Sequence, residues 1–504
     1  MLFPKKPAVA LLVLLSAFKC FSQQLDLANK SLEDLMNIQV TSVSKKEQKL
    51  SRTAAAIFVI TSEDIARSGA TNVPDLLRMV PGVDVAQIDA NTWAISARGL
   101  NGRFSNELLV MMDGRNLYTP TFGGVLWDGI DIPLEDIDRI EVIRGPGGTI
   151  WGANAVNGVI NIITKKAADT RGAMVVAGAG NLDQGFGTMQ YGAGLGKNTD
   201  YRISANYFNQ DHLPGIAGAE GADGWHLLRG GFRSDSNLSS KDTLTTEGEV
   251  YTGAEGALGK ILPSITSPSR ENVAVIENLS GGSVEADWNH IYSDRSDSDL
   301  HISFDRYKRD DVLTEARDTL SIDFQHHVAW GSRQDMVWGA GYRYTVSDSE
   351  GTISGSETPG IQSMQLFSLF AQDEIALLPD KLYATVGTKI EHNIYTGFNW
   401  MPSVRVSWTP SKRHMFWAAT SRADRTPAES DVSVRANVGG FPGPGGIPIL
   451  VAFIGNPHFK DEDLIAYEFG YRVAFTSHLS LDLATFYGDY THQKTVEPGT
   501  PFME

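Results

Sequence analysis

Between Leu108 and Lys165, short apolar runs alternate with charged, glycine-rich turns. Leu108–Met112, Ile137–Ile143 and Val156–Thr164 are β-branched or Leu/Met-rich, each bounded by Gly, Pro, Asn or Asp, and each reads as a strand. Upstream, Ala55–Thr61 reads as a further strand, after which Ser62 caps a helix with Asp64 in its first turn. A second short helix, Asp75–Met79, follows Pro74 and ends at Pro81-Gly82, where proline cannot continue the helix and glycine frees the turn. These elements describe a small mixed α/β domain.

From Arg171 the texture changes to dyad alternation. Tyr201, Ile203, Ala205 and Tyr207 alternate with Arg202, Ser204 and Asn206, and Leu300, Ile302 and Phe304 alternate with His301, Ser303 and Asp305. Leu320–Gln325 and Leu479–Ala484 repeat the pattern, and about fifteen strand candidates reach Tyr490. One apolar and one polar face per strand suits either a soluble sandwich or a membrane barrel with a polar interior.

Composition narrows the choice. A chain of 504 residues with 50 Gly, 42% hydrophobic residues and a mean hydropathy of −0.17 is too polar for a helical membrane protein and long enough for two domains. Beyond the N-terminus no run of about 18 apolar residues exists, so only strands are left to span a membrane. Ten Trp, 15 Tyr and 22 Phe suit an aromatic-girdled barrel, and a formal charge of −17 argues against nucleic acid as a partner. Lys5 and Lys6 precede the apolar stretch Ala8–Phe18, with small residues at Cys20 and Ser22, so residues 1–22 read as an export signal. Cys20 is the only cysteine, and its removal leaves neither disulfides nor thiolate chemistry.

The charges between the first strands follow a pattern. Asp113 and Arg115 flank Gly114, Arg139 and Glu141 alternate on one strand, and Arg144 precedes Gly145-Pro146. Alternate strand residues face the same way, so these charges predict a buried Arg–carboxylate network. GPGGTIWG lacks the Gly-Lys-Ser/Thr ending of a phosphate loop.

Taken together, RGLN (Arg98–Asn101), LLVMMDGR, IDRIEVIRGPGG, WGANAVNGVINIIT and the helix signal EDIARSGATNVPDLLRMVPGVDV (Glu63–Val85) resemble the plug domain of TonB-dependent outer-membrane receptors. The nearest flavour is the vitamin B12 receptor group. The resemblance implies a mainly β fold, a transmembrane antiparallel β-barrel with an N-terminal mixed α/β plug. It divides the chain into a signal peptide (1–22), a flexible segment (23–52), a plug (53–168) and barrel strands (169–504).

Within the flexible segment, Ile38, Gln39, Val40, Thr41, Ser42 and Val43 resemble the TonB box, which adds as a strand to the TonB sheet through main-chain hydrogen bonds. Arg98, Asp113, Arg139, Glu141 and Arg144 would form a rearrangeable lock in the plug. The loops Gln87–Trp93, Asn101–Glu107 and Leu117–Trp127 fall at one end, which in the family faces outward. Asn91, Trp93, Arg103, Phe104, Tyr118, Phe122 and Trp127 would there present stacking faces and donors to a ligand.

A lumen that holds a plug needs about 22 strands, and an open edge in lipid leaves backbone groups unpaired. Because the chain ends in PGTPFME, it is expected to be truncated at its C-terminus by roughly seven strands; a smaller complete barrel is the alternative. Leu238–Ser280 and Pro427–Asp463 are expected as extracellular loops. His326 and His327, adjacent on a strand, face opposite sides and cannot chelate together. SRADRTPAE (Ser421–Glu429) and GNPHFKDED (Gly455–Asp463) resemble a paired family motif, and the absence of histidine between Pro427 and Asn456 speaks against haem.

No catalytic constellation, resident cofactor or metal centre is expected, and so no enzyme. The expected function is active import of a scarce ligand, either cobalamin, a ferric siderophore or another metal chelate. TonB and its inner-membrane energising complex would supply the energy. An outer-membrane binding or adhesion protein without transport is the alternative.

Overall fold

A computed structural model describes residues 38–502 apart from 216–220, 262–270, 311–313 and 477–478. The expected signal peptide and residues 23–37 lie outside the described residues.

The first strand of the small domain's main sheet, β1 (Ile57–Thr61), leads directly into α1 (Ser62–Ser68). Thr61, not the expected Ser62, caps this helix: its hydroxyl accepts from Asp64 N at 3.2 Å, and the Asp64 carboxylate accepts from Thr61 N at 2.9 Å. Thr61 is still extended, the conformation that lets its hydroxyl reach the third helical amide. The second helix, α2 (Val73–Leu77), begins two residues before the expected Asp75, with Asn72 as its cap and Pro74 in the first turn. Then come the hairpin β2 (Val83–Gln87) and β3 (Trp93–Ala97), β4 (Leu108–Met112), β5 (Ile137–Arg144), the short α3 (Gly148–Trp151) and β6 (Gly158–Thr164).

The sheet order is β1-β5-β6-β4, with β5 antiparallel to both neighbours and β6 parallel to β4. Ile140, Val142, Ile160 and Ile162 pack with Leu76 and Leu77 on one face. Ile143, Leu109, Met111 and Val159 pack with Val40 and Val43 on the other. Burial on both faces explains why these strands read as continuous apolar runs.

Fifteen antiparallel strands then form one sheet in chain order. They are β7 (Gly172–Gly178), β8 (Asp183–Leu195), β9 (Thr199–Gln210), β10 (Trp225–Asn237) and β11 (Asp242–Ile261). Next are β12 (Glu271–Ser293), β13 (Ser296–Asp310), β14 (Thr314–Trp330), β15 (Gln334–Glu350) and β16 (Ile361–Leu378). The last are β17 (Leu382–Asn393), β18 (Gly397–Ser411), β19 (His414–Arg425), β20 (Glu462–Ala474) and β21 (Ser480–Thr491). Among the described residues β7 and β21 are the two edges.

Short turns such as 331–333 and 412–413 join the strands at one end, and the longest connection, 426–461, lies at the other. That connection carries α4 (Glu429–Val432) and two strands, Val434–Pro442 and Pro448–Ile454, the first of which pairs with Gly355–Glu357. Leu238–Ser280, by contrast, is not a long loop. Most of it is the β11–β12 hairpin, paired from Asp242↔His290 to Ile261↔Glu271. The stretch reads as a long insert between strands, but the ladder satisfies the backbone whatever the side chains.

Alternation sorts the side chains by face. Ile203, Tyr207, Ile302, Phe304 and Leu369 are exposed, whereas Arg202, His301 and Ser303 are buried. Apolar groups therefore face out and polar groups in, as in a membrane barrel. Near the short-turn end His326 stands 5.7 Å from both Tyr292 and Trp338 in an outward aromatic band. His327 points the other way, to Asp297 and Asp335 at 2.8 and 2.5 Å. No helix among the described residues is long and apolar enough to cross a membrane.

The small mixed sheet nests against the polar face of the large one. Ion pairs tie them together: Arg115 to Glu249 at 2.9 Å, Arg98 to Glu468 at 2.6 Å, and Asp128 to Arg309. Ile140 lies at the centre of the small sheet with no exposed surface. Ile140→Ala is expected to destabilise this sheet by about 2–5 kcal/mol, read as lost amide-exchange protection along β5 and β6 while the β13–β16 amides stay protected.

Candidate functional site

Two regions bracket the small domain. The first is the segment 38–43, expected as flexible and exposed; the structure corrects this. Gln39–Val40 pairs antiparallel with Gln48–Lys49, and the intervening turn presses Val40, Ser42 and Val43 into the second face of the sheet, all buried. Glu141 of β5 holds the turn: its carboxylate accepts from Thr41 N at 3.0 Å, Ser42 N at 2.9 Å and Ser42 Oγ at 2.6 Å. Asn161 Nδ2 donates to Ser42 Oγ at 3.1 Å, and Trp151 Nε1 donates to Ser42 O at 2.6 Å. The physical reason is plain: one anion satisfies two adjacent amides and a hydroxyl, and two valines fill an apolar surface. Ile38 is half-buried against the same cluster.

The five expected lock charges do not form one network. Arg139 Nε pairs with Glu141 at 2.9 Å, on the turn that holds residues 41 and 42. Arg98 reaches the large sheet at Glu468. Asp113 accepts from Thr164 N at 2.9 Å and stands 3.9 Å from Arg233 of β10; burial raises its pKa. Arg144 donates to Pro81 O at 2.7 Å and has no carboxylate partner among its described contacts. The sequence put only Arg139 and Glu141 together on one strand, and that pair forms; Arg98 and Asp113 sit in turns that aim them at the wall. Asp113 and Gly114 both have positive φ, 48° and 96°, which closes the tight hairpin after β4.

The second region is the long-loop end, where the seven expected ligand residues divide. Arg103 and Phe104 form an exposed crest with the half-buried Phe122: Phe104 is 58% exposed, meets Phe122 edge-on at 5.1 Å, and lies 5.3 Å beneath the Arg103 guanidinium. Tyr118 is half-buried, and burial pushes its pKa up to about 12. Asn91, Trp93 and Trp127 are buried and do not belong to an exposed face. Asn91 donates to Gly256 O at 2.8 Å and Asp223 O at 3.2 Å, while Trp93 packs edge-on against Trp225 at 6.1 Å. The loop of Asn91 and Trp93 is drawn to the wall because polar and aromatic groups there offer partners that solvent would otherwise supply, while Trp127 packs into the core of the small domain.

The plug loop beside the crest is clasped by the long connection. Glu429 N donates to Pro120 O at 2.9 Å and Ser430 N to Thr121 O at 2.8 Å. Behind this clasp Arg425 pairs with Asp431 and Glu462, each at 2.8 Å. Glu429 is buried; burial first, then the charges of Glu357 and Glu315, push its pKa up to about 8.

Between these two regions a cavity of about 580 Å³ separates the small domain from the wall of β10–β17. It runs from Thr243, Asn289 and Gln325 near the short turns to Tyr395 and Pro427 at the long-loop end. Lys45 lines its lower part; burial, and next the charge of Lys389, pull the ammonium pKa down to about 8. No cluster of metal-ligating side chains occurs among the described residues.

Several holding residues escaped the sequence reading because nothing local marks them. Arg472 of β20 donates to Leu50 O, Thr53 O and Ala55 O at 3.0, 2.8 and 2.5 Å. Glu391 of β17 accepts from Ala153 N at 2.8 Å beside Gly152, where a Cβ would stand 2.0 Å from its carboxylate. Lys46 pairs with Asp335 at 2.7 Å and Glu374 at 3.6 Å. For Arg472 and Glu391 the one signal was a charge on the inward dyad of a strand.

Comparison with known proteins agrees with this architecture. A family model described as the TonB-dependent receptor plug domain matches residues 49–159, and one described as a TonB-dependent receptor-like β-barrel matches residues 161–503. The vitamin B12 transporter BtuB of Vibrio cholerae is 33% identical over 204 residues, which cover 40% of this chain and 32% of that transporter. The ferric enterobactin receptor of Pseudomonas aeruginosa is 24% identical, with 84% of this chain and 65% of that receptor covered. The chain thus spans less than two thirds of these relatives' lengths. Among solved structures, the siderophore receptor PirA from Acinetobacter baumannii superposes with a TM-score of 0.70 at 18% identity, over 87% of this chain and 71% of that one. A ferric enterobactin receptor (PfeA) mutant from P. aeruginosa gives 0.69 at 21% identity, over the same shares. At these identities the likeness speaks for the fold.

Two outcomes follow from the geometry. Glu141→Ala removes bonds to a charged acceptor, each worth about 1.5–3 kcal/mol, so a spin label at Ile38 should become mobile in the variant and remain restricted in the parent. A carboxyl with a raised folded pKa adds stability that is complete below its ordinary 4.5 and lost as pH rises through about 8. Exchange protection at Glu429 N and Ser430 N, corrected for intrinsic rates, should therefore fall over that window, and Glu429→Gln should flatten the dependence.

Proposed function

The chain belongs to the TonB-dependent receptor family, and from that premise we propose that it is an outer-membrane importer of a scarce metal chelate. Members of this family are outer-membrane β-barrel receptors, not enzymes. Cobalamin, a ferric siderophore or a related chelate would bind at the Arg103–Phe104–Phe122 crest and the loops around it. An aromatic pair under a guanidinium suits a large, partly apolar, anionic or polar solute. TonB, driven by its inner-membrane complex, would engage residues 38–43 and draw them away as an added strand.

The observation that carries the reading is the hold on 38–43 by Glu141. The segment is kept by a few hydrogen bonds on the short-turn side, apart from the crest and apart from the ion pairs that fix the plug to the wall. Such a segment can be removed without first dismantling the plug. Among the described residues its strand Gln39–Val40 pairs only with the short Gln48–Lys49 strand, so strand exchange with a partner sheet is a small step.

A binding or adhesion protein without transport would share the crest but have no need of the 38–43 segment. Deleting residues 38–43 is expected to abolish energised uptake of the radiolabelled chelate while leaving its binding to cells within about twofold, a change of under ~0.5 kcal/mol. Uptake that survives the deletion would favour the adhesion reading.

A further inference from the structure

We propose that Lys45 is a stopper at the inner mouth of the cavity between plug and wall, and that traction on residues 38–43 withdraws it first. The inference rests on the transport reading for its purpose, while the seal itself is a property of the resting protein.

The cavity lies lengthwise beside the plug, and Lys45 lines it where residues 45–48 cross to the wall. The Lys45 ammonium stands 4.9 Å from the Trp151 ring of the plug and 4.7 Å from the Phe370 ring of β16, so one side chain bridges both walls of the seam. Gln325 of β14 donates to Lys45 O at 3.3 Å, fastening the backbone beside the wall. The next residue, Lys46, is anchored at Asp335 and Glu374, and Gln48 donates to Glu374 at 3.1 Å. The stopper therefore has a fixed seat on the wall side and a second seat on the plug.

Its link to the segment is equally direct. Trp151, the plug-side seat, also donates to Ser42 O, so the ring and the turn are positioned together. Lys45 N donates to Thr41 O at 2.9 Å, and Lys45 itself is in the left-handed region at φ 53°. A lysine adopts that conformation only where the surrounding bonds impose it. Pulling 38–43 into an extended strand breaks the Thr41–Lys45 bond, lets Lys45 return to extended backbone and swings the ammonium off both rings. Only one residue, Ser44, separates Lys45 from the segment, so this happens before Lys46 releases Asp335.

The test uses the full chain in outer-membrane preparations with a reporter cysteine at Ser321, a cavity-lining position of β14. A membrane-impermeant maleimide is applied separately to the short-turn and long-loop faces, and the chain without the reporter measures any contribution of Cys20. Lys45→Ala is expected to raise labelling from the short-turn face about tenfold, the opening shift for losing two cation–π contacts. Lys45→Arg should keep the slow parental rate, and Lys45→Met, which retains the bulk, should leak as alanine does. Labelling from the long-loop face should be the same in all four proteins, which checks the fold. Parental rates from the short-turn face in both the alanine and methionine variants would overturn the proposal. Because labelling needs neither ligand nor TonB, that failure is separate from uptake persisting in the 38–43 deletion, which would overturn the transport reading alone.

Discussion

A sheet with its apolar side outward must still satisfy the charges on its inward side, and everything else in this protein depends on how that is done. Arg229, Arg309, Glu285 and Glu468 lie on inward dyads, shielded from bulk water. Leaving one such charge without its partner costs about 3–5 kcal/mol. The small domain supplies many of the partners: Arg115 for Glu249 and Glu285, Asp128 for Arg309, Arg98 for Glu468. Backbone groups serve too, as where Arg472 gathers three carbonyls of residues 50–55. Plug and wall are thus each other's solvent.

These ties are separate, and their separation matters more than their number. The bonds that hold 38–43 involve Glu141, Asn161 and Trp151 on the plug's own sheet and helix. The bonds that hold the plug in the wall involve residues in turns and at strand ends. Freeing the first set does not require freeing the second. Between these ties the seam widens into the cavity, and the chain that leaves 38–43 crosses to the wall beside it. Under the proposed transport, a pull from the short-turn side would reach the 38–43 turn first and the clasp of α4 on the 118–121 loop last.

Much of this was legible in the chain. Strands β4, β5 and β6 came out within two residues because runs buried on both faces need no partner knowledge to be seen. The dyads at Tyr201–Tyr207 and Leu300–Asp305 marked which side chains face out. Errors arose where local chemistry admitted two solutions. Thr61 and Ser62 are both good caps, and only the backbone extension at Thr61 chose between them. Part of the β11–β12 hairpin looked like a long insert between strands, yet its ladder runs unbroken to Ile261. Asn91, Trp93 and Trp127 looked like a ligand face, but Asn91 and Trp93 found partners on the wall that no nearby sequence announces, and Trp127 is buried in the core of the small domain.

What the sequence by itself determined is periodicity: which segments are strands, which face of each is apolar, and that a plug-like unit precedes a long antiparallel sheet. These are consequences of contacts within a few residues, so the chain carries them locally. Only the tertiary structure decided who pairs with whom across hundreds of residues: Glu141 with Ser42, Arg98 with Glu468, Lys45 with Trp151 and Phe370. It also decided that 38–43, polar and β-prone, is folded away instead of exposed. The physical reason is that a charge or an amide has many acceptable partners, and the choice among them is made by which surfaces the packed sheets bring together.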